Sequence, residues 1–484
     1  MVVNFVVIGG TTVGFVGREV ELDELAGLLA IVRAGRRADK GVAVLLRGRR
    51  RVGKSRLVTE FIERSGLPSV YFQAARGAPV RDELAAFASA IATSDLPGAD
   101  LADGTEPSSL SATLRLLAAA LPSDMPSVVV IDELPWLLEG IDGGPGELQR
   151  VWDRELAQKP VLLLLLGSDL AMMEALGRPD QPFHGRATEM ILRELSPRDV
   201  GRMTGLSGMD AFDAFLVTGG QPLVAQEWEP GEDAAGFVRR SFSRSTSALV
   251  VSGARVLDTE FPEATQARSI LRAIGGRGER TWSGVLAVSG VSATSLERSL
   301  AVLAEKRVVV ADEPLSTRRA AKDRRWRVAD PALRFWLALV EPALGDIDRG
   351  RPDLAARRYA ASFEAWRGRA VEPVVRSALA RLLPDGRWPS AERVGGWWPR
   401  NNVPEIDLVA TDARPGTSID FVGTIKWRGH RAVTAAEVDA LAADAVSVPG
   451  ATLATPLVAV CPAGAADARL AQAWTAADLL EAWR

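Results

Sequence analysis

The eight residues Gly48-Arg49-Arg50-Arg51-Val52-Gly53-Lys54-Ser55 follow the spacing G-x-x-x-x-G-K-[ST], and their setting constrains the chain more than any other stretch. The apolar run Val42-Ala43-Val44-Leu45-Leu46 before them reads as a strand, and Leu57-Val58-Thr59-Glu60-Phe61-Ile62 after them reads as a helix. Strand, glycine-bracketed loop and helix make a phosphate-binding loop. The two glycines let backbone N–H groups turn inward around a triphosphate, Lys54 reaches the outer phosphates, and the Ser55 hydroxyl holds Mg²⁺ at the positive end of the helix. The run from Gly48 through Arg56 is therefore the first candidate contact for a nucleotide. The other lysines are only Lys40, Lys159, Lys306, Lys322 and Lys426, so a lysine at position 54 is not surface habit in a chain whose positive charge is nearly all arginine.

A second apolar run, Ser127-Val128-Val129-Val130-Ile131, reads as a buried parallel strand and ends in Asp132-Glu133. Taken alone, this is a strand running into two solvated acids at a helix start. Downstream of a phosphate loop it is the Walker B arrangement, in which Asp132 holds Mg²⁺ through water and Glu133 orients and polarises the attacking water.

The pentapeptide Phe15-Val16-Gly17-Arg18-Glu19 precedes an amphipathic helix, Leu22 to Ala34, and locally it is a tight turn. Before a phosphate loop it resembles the opening segment of AAA+ and STAND-type ATPases, which implies that Gly17 and Arg18 lie near the adenine and ribose of ATP. In that class the strand after Walker B ends in a polar residue that senses the γ-phosphate. Here Val161 to Leu166 runs into Gly167-Ser168-Asp169, so Ser168 is either that sensor or a helix N-cap, and the two roles are compatible. The segment Phe183 to Thr188 resembles the Gly-Arg element of the same class. Arg186 is then an arginine finger, within the chain or across a homo-oligomer interface, or else a solvated surface residue. Thr218-Gly219-Gly220-Gln221-Pro222 reads locally as a helix end and turn and matches the Gly-x-Pro lid motif of STAND ATPases, which implies that Gly220 and Pro222 couple nucleotide state to the next domain.

From about Phe261 the pattern becomes three short helices, Ala264 to Ile274, Trp282 to Ser289 and Ser292 to Lys306. The strands Val308–Val310 and Trp326–Val328 follow, flanking the basic stretch 316–325. That is the winged-helix order. The helix from Ser295 to Lys306 carries acids and bases together, so the basic wing either touches DNA or serves as an intramolecular clamp. With Val328-Ala329-Asp330-Pro331-Ala332-Leu333-Arg334-Phe335-Trp336, the motifs together resemble archaeal-type STAND-class P-loop ATPases, many of which carry a C-terminal domain of unknown function related to PD-(D/E)xK nucleases.

The C-terminal third fits that implication. A long helix, Phe363 to Leu383, contains Glu372. Strands are expected at Val394–Trp398, Pro404–Ala410, Ser418–Trp427 and Pro456–Cys461, with a helix from Ala435 to Val446. Carried over by position, Glu372, Asp407 and Lys426 match the family's metal and catalytic positions, but Thr424 stands where a second acid belongs, and a threonine oxygen supplies no charge to a hard cation. Asp420, or Glu437 on the following helix, are the two candidate replacements. Trp397, Trp398 and Trp427 beside Arg400 and Arg428 read either as a nucleic-acid platform for DNA or RNA or as ordinary core.

At 484 residues about three domains of ~150 residues are expected. The boundaries read as a leader or edge strand at 1–12, an α/β P-loop core at 13–195, a helical lid at 196–260, a winged helix at 261–345 and a restriction-endonuclease-like α/β domain at 355–484. Acids and bases nearly cancel, 61 against 58, so nucleic-acid contact must come from local patches. One cysteine, Cys461, excludes intramolecular disulfides, and with only His184 and His430 an ordinary structural zinc site is excluded too. The apolar start, Met1 to Ile8, lacks a basic flank and is too short for a span, so no membrane partner and a cytoplasmic location are expected. The expected function is an ATP- and Mg²⁺-dependent switch acting in nucleic-acid-linked regulation or defence. A signalling scaffold that hydrolyses slowly is the alternative.

Overall fold

The computed structural model describes residues 15–35, 40–179, 181–260, 265–278, 280–319 and 321–484. The leader or edge strand expected at 1–12 lies outside them. The chain divides into two compact units, Met1–Glu194 and Leu195–Arg484.

In the first unit, helix Glu19–Ala34 is followed by β1 (Val42–Arg47), helix Lys54–Ser65, β2 (Ser69–Gln73), helices Val80–Ala92 and Leu110–Ala120, and β3 (Ser127–Asp132). Helices Leu134–Glu139 and Gly144–Arg154, β4 (Val161–Gly167), helix Leu170–Gly177 and β5 (Ala187–Ile191) complete it. The sheet order is β2-β3-β4-β1-β5 and every pairing is parallel. Parallel sheets are covered on both faces, and the strands show it: Ala43, Leu45, Leu163 and Leu165 enter one apolar cluster, while Val42, Val44, Leu162 and Leu164 enter the cluster on the opposite side. That two-sided burial is why β1, β3 and β4 are unbroken apolar runs. The edge strand β5, with Thr188 and Glu189 exposed, has no such run and was not legible as a strand.

The second unit begins with helices Pro197–Thr204, Gly208–Thr218, Ala234–Phe242 and Ala248–Glu260. Helix Thr265–Ile274, β6 (Arg280–Thr281), helices Trp282–Ser289 and Ala293–Glu305, β7 (Val309–Asp312) and β8 (Arg325–Val328) come next, with an antiparallel sheet of order β6-β8-β7. The single helix expected from Phe363 to Leu383 is two, Pro352–Ala370 and Glu372–Leu382. Pro373 explains the break: it is favoured in a first turn and cannot continue a helix interior, so Glu372 opens the second helix rather than sitting within the first.

The strands β9 (Arg393–Trp397), β10 (Ile406–Thr411), β11 (Ile419–Ile425), β12 (Leu457–Val460) and β13 (Leu470–Trp474) form one mixed sheet of order β13-β12-β11-β10-β9, with helix Ala435–Ala445 between β11 and β12. The first three strands pair antiparallel and the last three parallel. One apolar cluster runs from Leu195 to Leu479 through Phe212, Trp336, Trp366 and Trp427, so the segments 196–260, 261–345 and 355–484 share a core.

Candidate functional site

The chain leaves β1 at Arg47, turns through residues 48–53 and enters helix Lys54–Ser65. Gly48 is required there, because a Cβ would lie 2.5 Å from the Leu192 carbonyl oxygen. Arg51 and Gly53 take the left-handed conformation, φ 68° and 94°, the kind of alternation that makes an anion-binding concavity of backbone N–H groups. Lys54 is buried, and its Nζ donates to the carbonyls of Gly48 at 2.7 Å and Arg49 at 3.2 Å. Burial lowers the affinity of its amine for a proton, and the nearby Glu133 and Asp132 carboxylates oppose that.

Ser55 Oγ donates to Asp132 Oδ2 at 2.8 Å, and the Glu133 amide donates to Oδ1 at 2.9 Å. Glu133 has φ 54°, and its Oε2 accepts from the Ser168 amide at 3.1 Å and the Ser168 hydroxyl at 2.9 Å. Asp169, not Ser168, caps helix Leu170–Gly177 by accepting from the Met172 amide at 3.0 Å. Lys54, Ser55, Asp132, Glu133 and Ser168 thus meet at the C-terminal edge of the parallel sheet, where open α/β sheets bind ligands. The donors fit a nucleotide with Mg²⁺: the Ser55 hydroxyl and Asp132 carboxylate are hard oxygen ligands, beside an amine and a glycine-lined loop.

Tyr71 belongs to the same cluster and escaped the sequence reading. Its hydroxyl donates to Asp132 Oδ2 at 2.5 Å, and burial, then Asp132, pushes its pKa well above the usual phenol value. Only its place on β2, which pairs directly with β3, brings it there.

Other residues are placed differently. Arg18 is buried with φ 68°, and its guanidinium is taken up by the Val52 carbonyl at 2.8 Å, the Arg193 carbonyl at 2.6 Å and Glu21 at 3.1 Å, so it braces the loop. Gly17, at φ 78°, forms the turn before it. Val52 is buried, Arg50 lies over the Trp136 ring at 5.3 Å, and Arg56 pairs with Glu60 at 3.0 Å. Arg186 is fastened to Asp153 at 2.7 and 2.9 Å and to the Pro182 and His184 carbonyls.

Gly220 and Pro222 lie in the second unit. There Gly219, φ 62°, packs so tightly on the start of helix Pro331–Phe335 that a Cβ would lie 2.2 Å from the Ala332 nitrogen. The Gly-Gly-Gln-Pro turn and the Asp-Pro segment, far apart in sequence, therefore touch.

In the C-terminal sheet, Asp407 Oδ2 accepts from the Thr424 hydroxyl at 2.9 Å and the Ile425 amide at 2.8 Å. Glu372 pairs with Arg376 at 3.1 Å, and Arg376 also donates to the Asp407 carbonyl. Lys426 follows β11, with its amide on the Val460 carbonyl. The two candidate replacement acids are engaged elsewhere: Asp420 is bonded to Ser390, and Glu437 is held by Arg428 at 2.8 and 2.6 Å. Among the described residues no group of three His, Cys, Asp or Glu is placed to hold a metal. Trp397, Trp398 and Trp427 are buried, which is their core reading.

The first unit is thus an α/β P-loop unit. The family model DUF234, described as Archaea bacterial proteins of unknown function, matches residues 336–438. The chain is similar to the Walker-type ATPase PABY2304 of Pyrococcus abyssi, 21% identical over 67% of this chain and 96% of that one, with a TM-score of 0.47. It is also similar to the Aeropyrum pernix ORC2 protein, 12% identical over 72% and 98% with a TM-score of 0.42, and to the Aeropyrum pernix ORC1 protein in complex with DNA, 17% identical over 70% and 94% with a TM-score of 0.33. No curated protein matches. Among the described residues no helix is long and apolar enough to cross a membrane.

Proposed function

We propose that the chain is an ATP-binding and hydrolysing molecular switch whose nucleotide state is read by a winged helix and a catalytically degenerate nuclease-like domain. The observation that carries this is the convergence of Lys54, Ser55, Asp132, Glu133 and Ser168 on one sheet edge. Bound there, ATP supplies the transferable phosphoryl group and Mg²⁺ the charge that neutralises it. The loop N–H groups and Lys54 would bind phosphate oxygens, Ser55 and Asp132 would hold the ion, and Glu133, kept in line by Ser168, would orient a water and take its proton. Steady-state turnover is the test. We expect Lys54→Ala to be slower by about 10²-fold or more, whereas equal rates would leave the scaffold reading.

Residues 265–328 support the winged-helix reading through their order of helix, strand, two helices and two strands. The clamp role is favoured over DNA contact, because the wing's arginines are largely engaged: Arg324 with Glu313 at 2.6 Å, Arg327 with Asp312 at 2.5 Å, and Arg325 with Glu405 and Asn402. For the nuclease-like domain, the hydroxyl of Thr424 on Asp407 supports degeneracy. Plasmid incubated with Mg²⁺ or Mn²⁺ is expected to stay supercoiled. Nicking that Asp407→Ala abolishes would restore nuclease activity to the domain.

A further inference from the structure

Asp132, the acid that the nucleotide reading assigns to the ion, is held by a residue that belongs neither to the phosphate loop nor to its own strand. Strand β2 fixes Asp132 twice. Along the main chain, Gln73 lies opposite Asp132 in the parallel pairing of β2 with β3, and the Ala74 amide donates to the Asp132 carbonyl at 3.0 Å. At the side chain, the Tyr71 hydroxyl donates to Oδ2 at 2.5 Å. The Tyr71 ring packs on the apolar cluster that includes Leu57, Val58 and Val130, so its hydroxyl is the polar tip of a rigid arm whose body is fixed by packing.

As an acceptor Asp132 is nearly full. An ionised carboxylate offers about four lone-pair positions and has no proton to give. Ser55 Oγ at 2.8 Å and Tyr71 at 2.5 Å share Oδ2, and the Glu133 amide at 2.9 Å takes Oδ1. Both oxygens are tied, and the carboxylate cannot turn about its Cβ–Cγ bond without breaking a hydrogen bond.

The two donors on Oδ2 are not equivalent. A serine oxygen can ligate a cation only while its proton points away from the ion, and Oδ2 of Asp132 is where the Ser55 proton goes. With Ser55 alone on that oxygen, each of the two groups would depend on the other for its orientation. Tyr71 has no such second task and anchors the same oxygen from β2. Groups that hold metal ligands in this way are typically worth about 10- to 100-fold in metal affinity.

We propose that Tyr71 is a positioning residue for the divalent cation: its hydroxyl sets Asp132, and through Asp132 the Ser55 hydroxyl, in the orientation that binds Mg²⁺ beside a nucleoside triphosphate. The inference rests on the nucleotide-site reading of the first unit.

The test uses the full-length chain and binding of a fluorescent, non-hydrolysable ATP analogue, measured first in EDTA and then across a Mg²⁺ titration. Tyr71→Phe keeps the ring and deletes the hydroxyl. Its affinity for the analogue in EDTA should match that of the wild type, while the Mg²⁺ concentration giving half of the metal-dependent change should rise about tenfold or more. In an Asp132→Asn background the same substitution should change that concentration by less than about twofold, because its effect runs through the carboxylate. Tyr71 and Tyr359 are the only two tyrosines, so fluorotyrosine labelling gives two fluorine resonances, which Tyr359→Phe assigns while leaving Tyr71 in place. The Tyr71 resonance should move as Mg²⁺ is added to the analogue complex. The proposal is overturned by a Tyr71 resonance that Mg²⁺ leaves unmoved, by an unchanged Mg²⁺ requirement in Tyr71→Phe, or by a Tyr71→Phe protein that loses affinity equally in EDTA, which is the mark of packing alone. A wild-type chain that binds no analogue with Mg²⁺ present would instead sink the nucleotide-site reading, so the two failures are told apart.

Discussion

At the scale of single residues, the candidate nucleotide site is a set of restraints on two carboxylates. Asp132 takes hydrogen bonds from Ser55, Tyr71 and the Glu133 amide, and Glu133 is held by both donors of Ser168. Ser168→Ala keeps the amide bond and removes the hydroxyl, loosening Glu133 without touching the loop. Turnover is expected to fall about tenfold with KM within roughly threefold, the split that marks a group acting on the transition state. Most of this site was legible, because a phosphate loop needs glycine, lysine and a hydroxyl at fixed offsets and a Walker B strand is an apolar run ending in acids. Tyr71 was not, because nothing in Ser69-Val70-Tyr71-Phe72 says which strand lies beside it.

At the scale of elements, capping and proline chemistry decided several assignments. Thr434 and Glu437 form a capping box at helix Ala435–Ala445, and Arg428 grips the same carboxylate. The Arg428 hydrogen bonds, chiefly, hold Glu437 down from an ordinary carboxyl value near 4.5 to about 2. A folded-state value below the unfolded one means that this stability is complete above pH 4.5 and is lost as pH falls toward 2. Glu437→Gln is therefore expected to flatten the fall in Tm over that interval and to lower Tm at pH 7, as thermal melts across pH would read. Among the expected strands of the C-terminal sheet, the four read from the sequence appear within a few residues of their bounds, but β13, with the half-exposed Leu470 and Gln472, carries no apolar run to announce it.

At the scale of the second unit, the loop between β7 and β8 binds the three-stranded sheet to the C-terminal sheet. Leu315 is fully buried with Trp397, Ile406, Val409 and Val422, its amide donates to Gly396 at 2.8 Å, and Arg325 lies 4.2 Å over the Trp398 ring. Leu315→Ala should cost about 3 kcal/mol in urea unfolding and open residues 313–325 to protease before the rest of the unit. That loop read as a basic wing, because sequence shows its arginines and not the acids that meet them. The same limit applies to Glu372, Asp407 and Thr424. The sequence alone determined the glycine-bracketed loop with Lys54 and Ser55, the acids Asp132 and Glu133 at the end of an apolar run, and the buried parallel strands, because each is a local pattern of spacing, hydropathy or residue type. Only the tertiary structure decided that Tyr71 bonds to Asp132, that Arg18 braces the loop, that Arg186 rests on Asp153 and that the loop between β7 and β8 is docked on the C-terminal sheet. Those are pairings between distant residues, and sheet order and packing, not local pattern, choose the partners.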